Sequence, residues 1–191
     1  RLRKLGCRSW SPDAQIVEIF CGRGQGLTAL SEMGFDHLEG CDLSQRLLEQ
    51  CQFPARLYVA DCRQLPFDDA SRDIVIVQGG LHHLPEWKTD LPRVLAEVRR
   101  VLRPEGRFVV VEPWWTPFLR CVHIAARQPL VRKLSAKIDA LQVMTEREAA
   151  TYFAWLSAGS EILALLDQHF ATERRWTAFG KLMYVGRQIS P

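Results

Sequence analysis

The chain has 191 residues, enough for one domain with a full hydrophobic core and short for two. Its 47% hydrophobic and 25% charged content is that of a globular protein, and no apolar run approaches the ~20 residues that span a bilayer. The net charge of +3 is small, and most basic residues are interspersed with acids, which argues against a nucleic-acid binder. The basic Arg1–Lys4 start leads into Gly6, Arg8 and Pro12 rather than an apolar stretch, so no secretion signal is expected and a cytoplasmic setting is. The first residue is not Met, which leaves room for an upstream segment. Cys7, Cys21, Cys41, Cys51, Cys62 and Cys121 form no C-x-x-C pair and no zinc spacing, so reduced buried thiols and no metal site are expected.

In chain order, Ala14–Phe20 is a short apolar run ending in the glycine-rich segment 21–26. Leu27–Met33 then reads as a helix closed by Gly34. His37–Cys41 is a second strand ending at Asp42, and Ser44 is placed to cap a helix running to about Cys51. Arg56–Ala60 is a third strand ending at Asp61. Asp73–Val77 carries four consecutive β-branched residues and reads as a strand buried on both faces. Leu91–Leu102 sets Leu91, Val94, Leu95, Val98, Val101 and Leu102 on one helical face, and 103–106 turns the chain into a fifth strand, Arg107–Glu112. Such alternation predicts a parallel sheet with helices on its faces, because parallel neighbours need a crossover.

Residues 113–158 break this rhythm. Helical stretches are expected around Phe118–Ala126 and Val131–Leu141, and Thr145-x-x-Glu148 has the pattern of a capping box opening a helix through Trp155. Ser160–His169 is a last core helix, and Phe170–Ala178 with Lys181–Arg187 predicts an antiparallel hairpin around Phe179-Gly180. One domain, 1–191, with a helical insert at 113–158 is the simplest division.

A strand, a glycine-rich turn and a helix form a place where backbone N–H groups and a partial positive charge meet a polar ligand. Asp42, twenty residues after Gly22 at a strand end, is placed to accept ribose hydroxyls. A dinucleotide site wants G-x-G-x-x-G, and here Leu27 stands where its third glycine would be. A nicotinamide-dependent oxidoreductase therefore fits poorly. Each acid also has a plainer reading: Asp42 and Asp61 as strand-end residues bonding a turn, Glu18 as a cap for a neighbouring helix. Cys21, Cys41 and Cys62, at the ends of three strands, read as small apolar filler.

Several motifs in register carry more weight than any one. Residues 17–26 (VEIFCGRGQG), 40–44 (GCDLS), 60–67 (ADCRQLPF), 73–77 (DIVIV), 82–84 (HHL) and 102–108 (LRPEGRF) together resemble the class I S-adenosylmethionine-dependent methyltransferases, in the small-molecule, type 11 subgroup. The resemblance covers Val17 to about Glu112, and the final hairpin is similar to the family's last two strands. It implies a Rossmann-like seven-stranded sheet of order 3-2-1-4-5-7-6 with the seventh strand antiparallel and helices on both faces. It further implies S-adenosylmethionine as cofactor, yielding S-adenosylhomocysteine. By position, Glu18 and the loop of Gly22, Gly24 and Gly26 would hold its methionine end. Asp42 would bind the ribose with Leu43 beside the adenine, Asp61 would accept from the adenine amino group near Cys62, and Gln78 and Gly79 would face the sulfonium. Phe20 departs from the family: it stands at the first glycine of the loop, where its ring would crowd the cofactor or point into the core.

Methyl transfer from a sulfonium is an in-line displacement, so the protein mainly aligns the acceptor and excludes water. Where a base is needed, His82 and His83 after the fourth strand and Glu112 at the end of the fifth are the candidate catalytic residues. The insert combines Trp114, Trp115, Phe118, Leu119, Tyr152, Phe153 and Trp155 with Arg120, Arg127, Arg132, Lys133 and Lys137. It is expected to choose a small-molecule or lipid-like acceptor, with peripheral membrane contact as an extension, or else to be a helical cap with its aromatics on the sheet. A cofactor-binding module without turnover is the second alternative from a different class.

Overall fold

The computed structural model describes residues 2–189; Arg1 of the basic start lies outside them. Seven strands form one sheet: β1 (Ile16–Ile19), β2 (Leu38–Asp42), β3 (Arg56–Val59), β4 (Arg72–Gln78), β5 (Leu102–Pro113), β6 (Phe170–Ala178) and β7 (Lys181–Gln188). Their order is β3-β2-β1-β4-β5-β7-β6, as expected. The first five pair in parallel, and β7 runs antiparallel to both β5 and β6.

Burial explains the sequence pattern of the central strands. β4 lies between β1 and β5, so Ile74 and Ile76 face one core while Val75 and Val77 face the other. The alternation continues through β5, where Phe108 and Val110 oppose Val109 and Val111. One face is covered by helices α3 (Trp87–Val101), α7 (Ala149–Ser157) and α8 (Gly159–His169). The other is covered by α1 (Gln25–Ser31) and by two short 3-10 turns at Leu2–Leu5 and Cys7–Ser9 that place Leu5 and Cys7 in the core. On α3, Leu91, Val94, Leu95, Val98 and Val101 are fully buried, each stabilising the fold by about 1.5–3 kcal/mol. The β6–β7 connection is a two-residue hairpin loop with Phe179 at φ 50° and Gly180 at φ 75°, the paired positive values that match strand twist.

Several boundaries differ from the sequence expectation. Helix α2 (Gln45–Leu48) is capped by Ser44 but ends short of Cys51. Helix α3 begins at Trp87, one turn before Leu91, because the Asp90 carboxylate accepts the Glu86 N–H at 3.2 Å and organises the first turn. The turn at 103–106 is a bulged start to β5, with a register shift against β4 between Arg72 and Ile74. The insert holds α4 (Pro117–Ala126), α5 (Pro129–Leu134) and α6 (Ala136–Arg147) before α7. The single helix expected over 131–141 is divided at Ser135, which caps α6.

The capping box at Thr145 does not form. Thr145 lies inside α6 with its hydroxyl donating to the Leu141 carbonyl, and Glu148 occupies the α6–α7 junction. Among the described residues, no single helix is long and apolar enough to cross a membrane; α7 and α8 pass on composition together but are bent by 72°.

Candidate active site

β1, β2 and β4 end at one edge of the sheet, where the chain leaves β1 toward β2 on one side and meets β4 on the other. Open parallel sheets collect ligands at such a switch point. The loop after β1 carries Gly22 and Gly24 at φ 54° and 74°, left-handed values that let it turn tightly into α1.

Glu18 is buried at 3% exposure on β1. Gln78 Nε2 donates to its Oε1 at 2.9 Å, while Oε2 is buried without a partner. Burial pushes the carboxyl up to about 7, and the Gln78 hydrogen bond offsets part of that rise. Asp42 is half-buried and fixes the loop: Gly22 N–H donates to its Oδ2 and Ser44 N–H to its Oδ1, both at 2.8 Å. Each oxygen retains a lone pair for a further donor. Leu43 stands beside it, 69% exposed.

Two cavities follow from this arrangement. One of about 430 Å³ is lined by Glu18, Phe20, Gln25, Gly26 and Gln78, with Arg3 at its wall. The other, of about 400 Å³, is lined by Gly22, Asp42, Leu43, Asp61, Cys62, Gly79 and His83, and again by Phe20. Phe20 is thus common to both. It holds φ 55°, a left-handed value rare for a non-glycine residue, and its ring lies against Gly80, where a Cβ would stand 2.3 Å from Phe20 Cγ. The side chain is half-buried and packs against the core on one side while the residue lines both cavities.

Asp61 lines the second cavity, but its carboxylate is already engaged. Arg63 grips it through three side-chain contacts of 2.6–3.1 Å and its own N–H at 2.8 Å, and reaches Asp90 at 2.9 Å. The Arg63 hydrogen bonds hold the Asp61 carboxyl below its ordinary range. Burial pushes the Cys41 and Cys62 thiols up to about 12 and Cys21 higher still, so these are inert filler at neutral pH.

The three acid–base candidates lie together but are not equivalent. Glu112 is 1% exposed; its Oε1 accepts the N–H groups of Gly80 and Leu81 at 2.8 and 2.9 Å, and its Oε2 bonds His82 Nδ1 at 2.8 Å. His82 is 4% exposed, and its ring lies 4.0 Å from that of His83. His83 reaches the second cavity, with burial and the adjacent His82 holding its imidazole below its ordinary pKa. Glu148 faces both histidines from the insert, 3.4 Å from His83 Nδ1 and 4.0 Å from His82 Nε2.

Sequence reasoning missed Glu148, whose spacing from Thr145 suggested a cap. It missed Arg3, which belongs to no periodic pattern, and took Gln25 only as part of the glycine loop. Arg63 had a signal, since an arginine two residues after an aspartate is within local reach of it.

Residues 17–110 match the family described as a methyltransferase domain. The chain is 38% identical over 100 residues to a phthiotriol/phenolphthiotriol dimycocerosates methyltransferase of Mycobacterium tuberculosis, a match covering 49% of this chain and 36% of that protein. It is 41% identical over 99 residues to a ubiquinone/menaquinone biosynthesis C-methyltransferase of Acidiphilium cryptum, covering 50% and 36%. These matches thus span about a third of each relative's length. In structure it is similar to the PH0226 protein of Pyrococcus horikoshii, with a TM-score of 0.67 and 18% identity over 98% of this chain and 88% of the other. Just under half of the chain thus matches a methyltransferase-domain family of the type 11 group, and the whole chain has the fold of solved S-adenosylmethionine-dependent methyltransferases.

S-adenosylmethionine is the cofactor of this family, and the residues present fit it. An amino group would satisfy the unpartnered Glu18 Oε2, and Asp42 has acceptor capacity for ribose hydroxyls.

Proposed function

We propose that this chain transfers a methyl group from S-adenosylmethionine to a small-molecule or lipid-like acceptor, as one domain over 1–191 whose insert at 113–158 contacts the acceptor. The observation that carries this reading is the two-part cleft at the edge of β1, β2 and β4. An orphaned acidic oxygen lies at one end and a ribose-competent aspartate at the other.

Glu18, Gly22, Gly24 and Gly26 would hold the methionine end, with Arg3 adding positive charge beside its carboxylate. Asp42 would hold the ribose, Leu43 and Cys62 would flank the adenine, and Gln78 and Gly79 would lie near the sulfur. Asp61 would meet the adenine amino group only with an oxygen it shares with Arg63. Bound there, the cofactor supplies an electrophilic methyl carbon and its sulfur leaving group. The protein's share is alignment and exclusion of water. Glu112, with both oxygens engaged, is a positioning residue that sets His82 and the loop after β4. Contact with the acceptor therefore falls to His83.

A lipid-like acceptor is supported by the insert and hairpin tip. Phe118, Ile124, Leu130, Leu134 and Phe179 are each more than half exposed, near Arg120 and Arg127. Apolar side chains rimmed by cations suit a membrane surface. The named relatives act on phthiotriol-type lipids and in quinone biosynthesis, acceptors of the same character. We place the reaction in the cytoplasm, in keeping with six unpaired cysteines.

The test is parallel calorimetric titration with S-adenosylmethionine, S-adenosylhomocysteine and NAD, followed by labelled-methyl transfer to hydroquinone and long-chain alcohol acceptors. Micromolar binding of the first two with transfer to either acceptor class supports the reading. Binding without transfer to any acceptor supports a binding module, and binding of NAD alone overturns the family's cofactor for this chain.

A further inference from the structure

We propose that His82 Nε2, His83 Nδ1 and Glu148 form a binding site for one first-row divalent cation of the zinc type. Their ligand atoms all lie within 4.8 Å of one another. A tetrahedral ion with bonds of about 2.1 Å holds its ligands about 3.4 Å apart. The His83–Glu148 separation is already 3.4 Å, and the His82–Glu148 separation of 4.0 Å needs only a small side-chain adjustment.

Hydrogen bonding makes the cluster short of positive charge. Glu112 Oε1 accepts from two backbone amides, and its Oε2, 2.8 Å from His82 Nδ1, is placed to accept a proton carried there. That tautomer leaves a lone pair on His82 Nε2, 4.0 Å from Glu148. Glu148 Oε2 is itself buried with no hydrogen-bond partner. Two acceptors facing one another repel, and either a proton on His83 Nδ1, 3.4 Å from the same oxygen, or a cation bound among the three groups removes the conflict. Protonating both imidazoles instead would put two positive charges on rings whose centroids are 4.0 Å apart.

The outer arrangement is that of a metal-bound histidine. A ligating imidazole commonly gives its second N–H to a carboxylate, which fixes its tautomer and orientation, and Glu112 Oε2 stands 2.8 Å from His82 Nδ1 in the place of that carboxylate. Two imidazoles and one carboxylate suit zinc, cobalt or iron(II) better than magnesium or calcium, which take oxygen donors. The histidines follow β4 and Glu148 lies between α6 and α7, so a bound ion would tie the insert to the cofactor edge.

This site stands apart from the methyl-transfer reading and is tested by binding alone. Chelator-stripped protein is titrated with Zn²⁺ against a competing chelator, and with Co²⁺ by visible absorption. The expected result is one equivalent of each, a cobalt spectrum without a thiolate charge-transfer band, and a melting temperature that rises with Zn²⁺. His83→Ala and the near-isosteric Glu148→Gln should each weaken Zn²⁺ binding by about 100-fold, and Glu112→Gln by about 10–100-fold. His37→Ala, at an exposed histidine elsewhere, should leave it unchanged. If His83→Ala is poorly folded by apo melting, Glu148→Gln decides. No tight equivalent in the wild type, or unchanged affinity in Glu148→Gln, overturns the site.

Discussion

The Glu18 carboxylate lies against the first turn of α1 because residue 26 has no side chain: a Cβ on Gly26 would stand 2.1 Å from Glu18 Oε1. Gly26→Ala must therefore push the carboxylate off the helix and away from Gln78. The expected outcome is a fall of at least about 10-fold in affinity for S-adenosylhomocysteine, equivalent to about 1.4 kcal/mol, with the fold retained. Calorimetry beside a circular dichroism melt checks both halves. Unchanged affinity would show that Glu18 does not hold the cofactor.

The raised pKa of Glu18 makes a second prediction. Its carboxyl moves from an ordinary 4.5 to about 7 in the folded chain, a weighting of about 3 kcal/mol between protonation states. The native state therefore binds a proton that the unfolded chain has released. The Glu18 contribution is fully present below about pH 4.5, declines as pH rises, and is lost beyond about pH 7. Glu18→Gln should flatten that decline in denaturant melts between pH 5 and 7.5. An ammonium group beside Glu18 would restore the charged form, so cofactor binding near pH 6 should release a proton. Titrations in buffers of differing ionisation enthalpy would detect it.

Phe20 combines a left-handed backbone with a ring common to both cavities. Phe20→Gly removes backbone strain of about 1–2 kcal/mol while losing the ring's packing on Gly80, so stability should change little. With the cavities joined, S-adenosylhomocysteine affinity should rise several-fold. A fall instead would mean that the ring itself is a cofactor contact.

The strands, the strand-end acids and the glycine loop were legible because each follows from periodicity or a local motif, whereas the sheet order came from the resemblance of several motifs in register to a known family. Burial on both faces forces Ile74–Val77 to be apolar throughout, and left-handed turns favour glycine at 22 and 24. What the sequence concealed depends on contacts between distant segments. Glu148 lies more than 60 residues after the histidines it faces, and its Thr145-x-x-Glu148 spacing fitted a helix start equally well. Local propensity could not place the break at Ser135 either, since 131–141 keeps helical character on both sides. The cleft's polar ends were readable; Phe20 was recognised as a departure, but not where its ring would lie.

Asp42 and Asp61, similar in the sequence, separate in the structure. Asp42→Ala removes the acceptor of the Gly22 and Ser44 amides and should weaken cofactor binding by roughly 2–3 kcal/mol. Asp61→Ala first frees Arg63, which still has Asp90, so its effect on binding should be smaller. Equal losses in paired titrations would show that Asp61 contacts the cofactor despite Arg63.

Glu112 offers a test that reads a proton position directly. In Glu112→Gln the side-chain oxygen can still accept from Gly80 and Leu81, while the new amide nitrogen faces His82 Nδ1 as a donor. His82 must then accept at Nδ1 and carry its proton on Nε2, pointing toward Glu148. Long-range imidazole nitrogen spectra should show the tautomer change from Nδ1–H to Nε2–H. Stability should fall by only about 1 kcal/mol, because no buried amide is left unpaired. Glu112→Ala, which leaves both backbone N–H groups without an acceptor, should cost roughly 3 kcal/mol in chemical denaturation. A wild-type spectrum already showing the Nε2–H form would mean that Glu112 does not set the tautomer. The Nε2–H toward Glu148 would then satisfy its unpartnered oxygen without any ion.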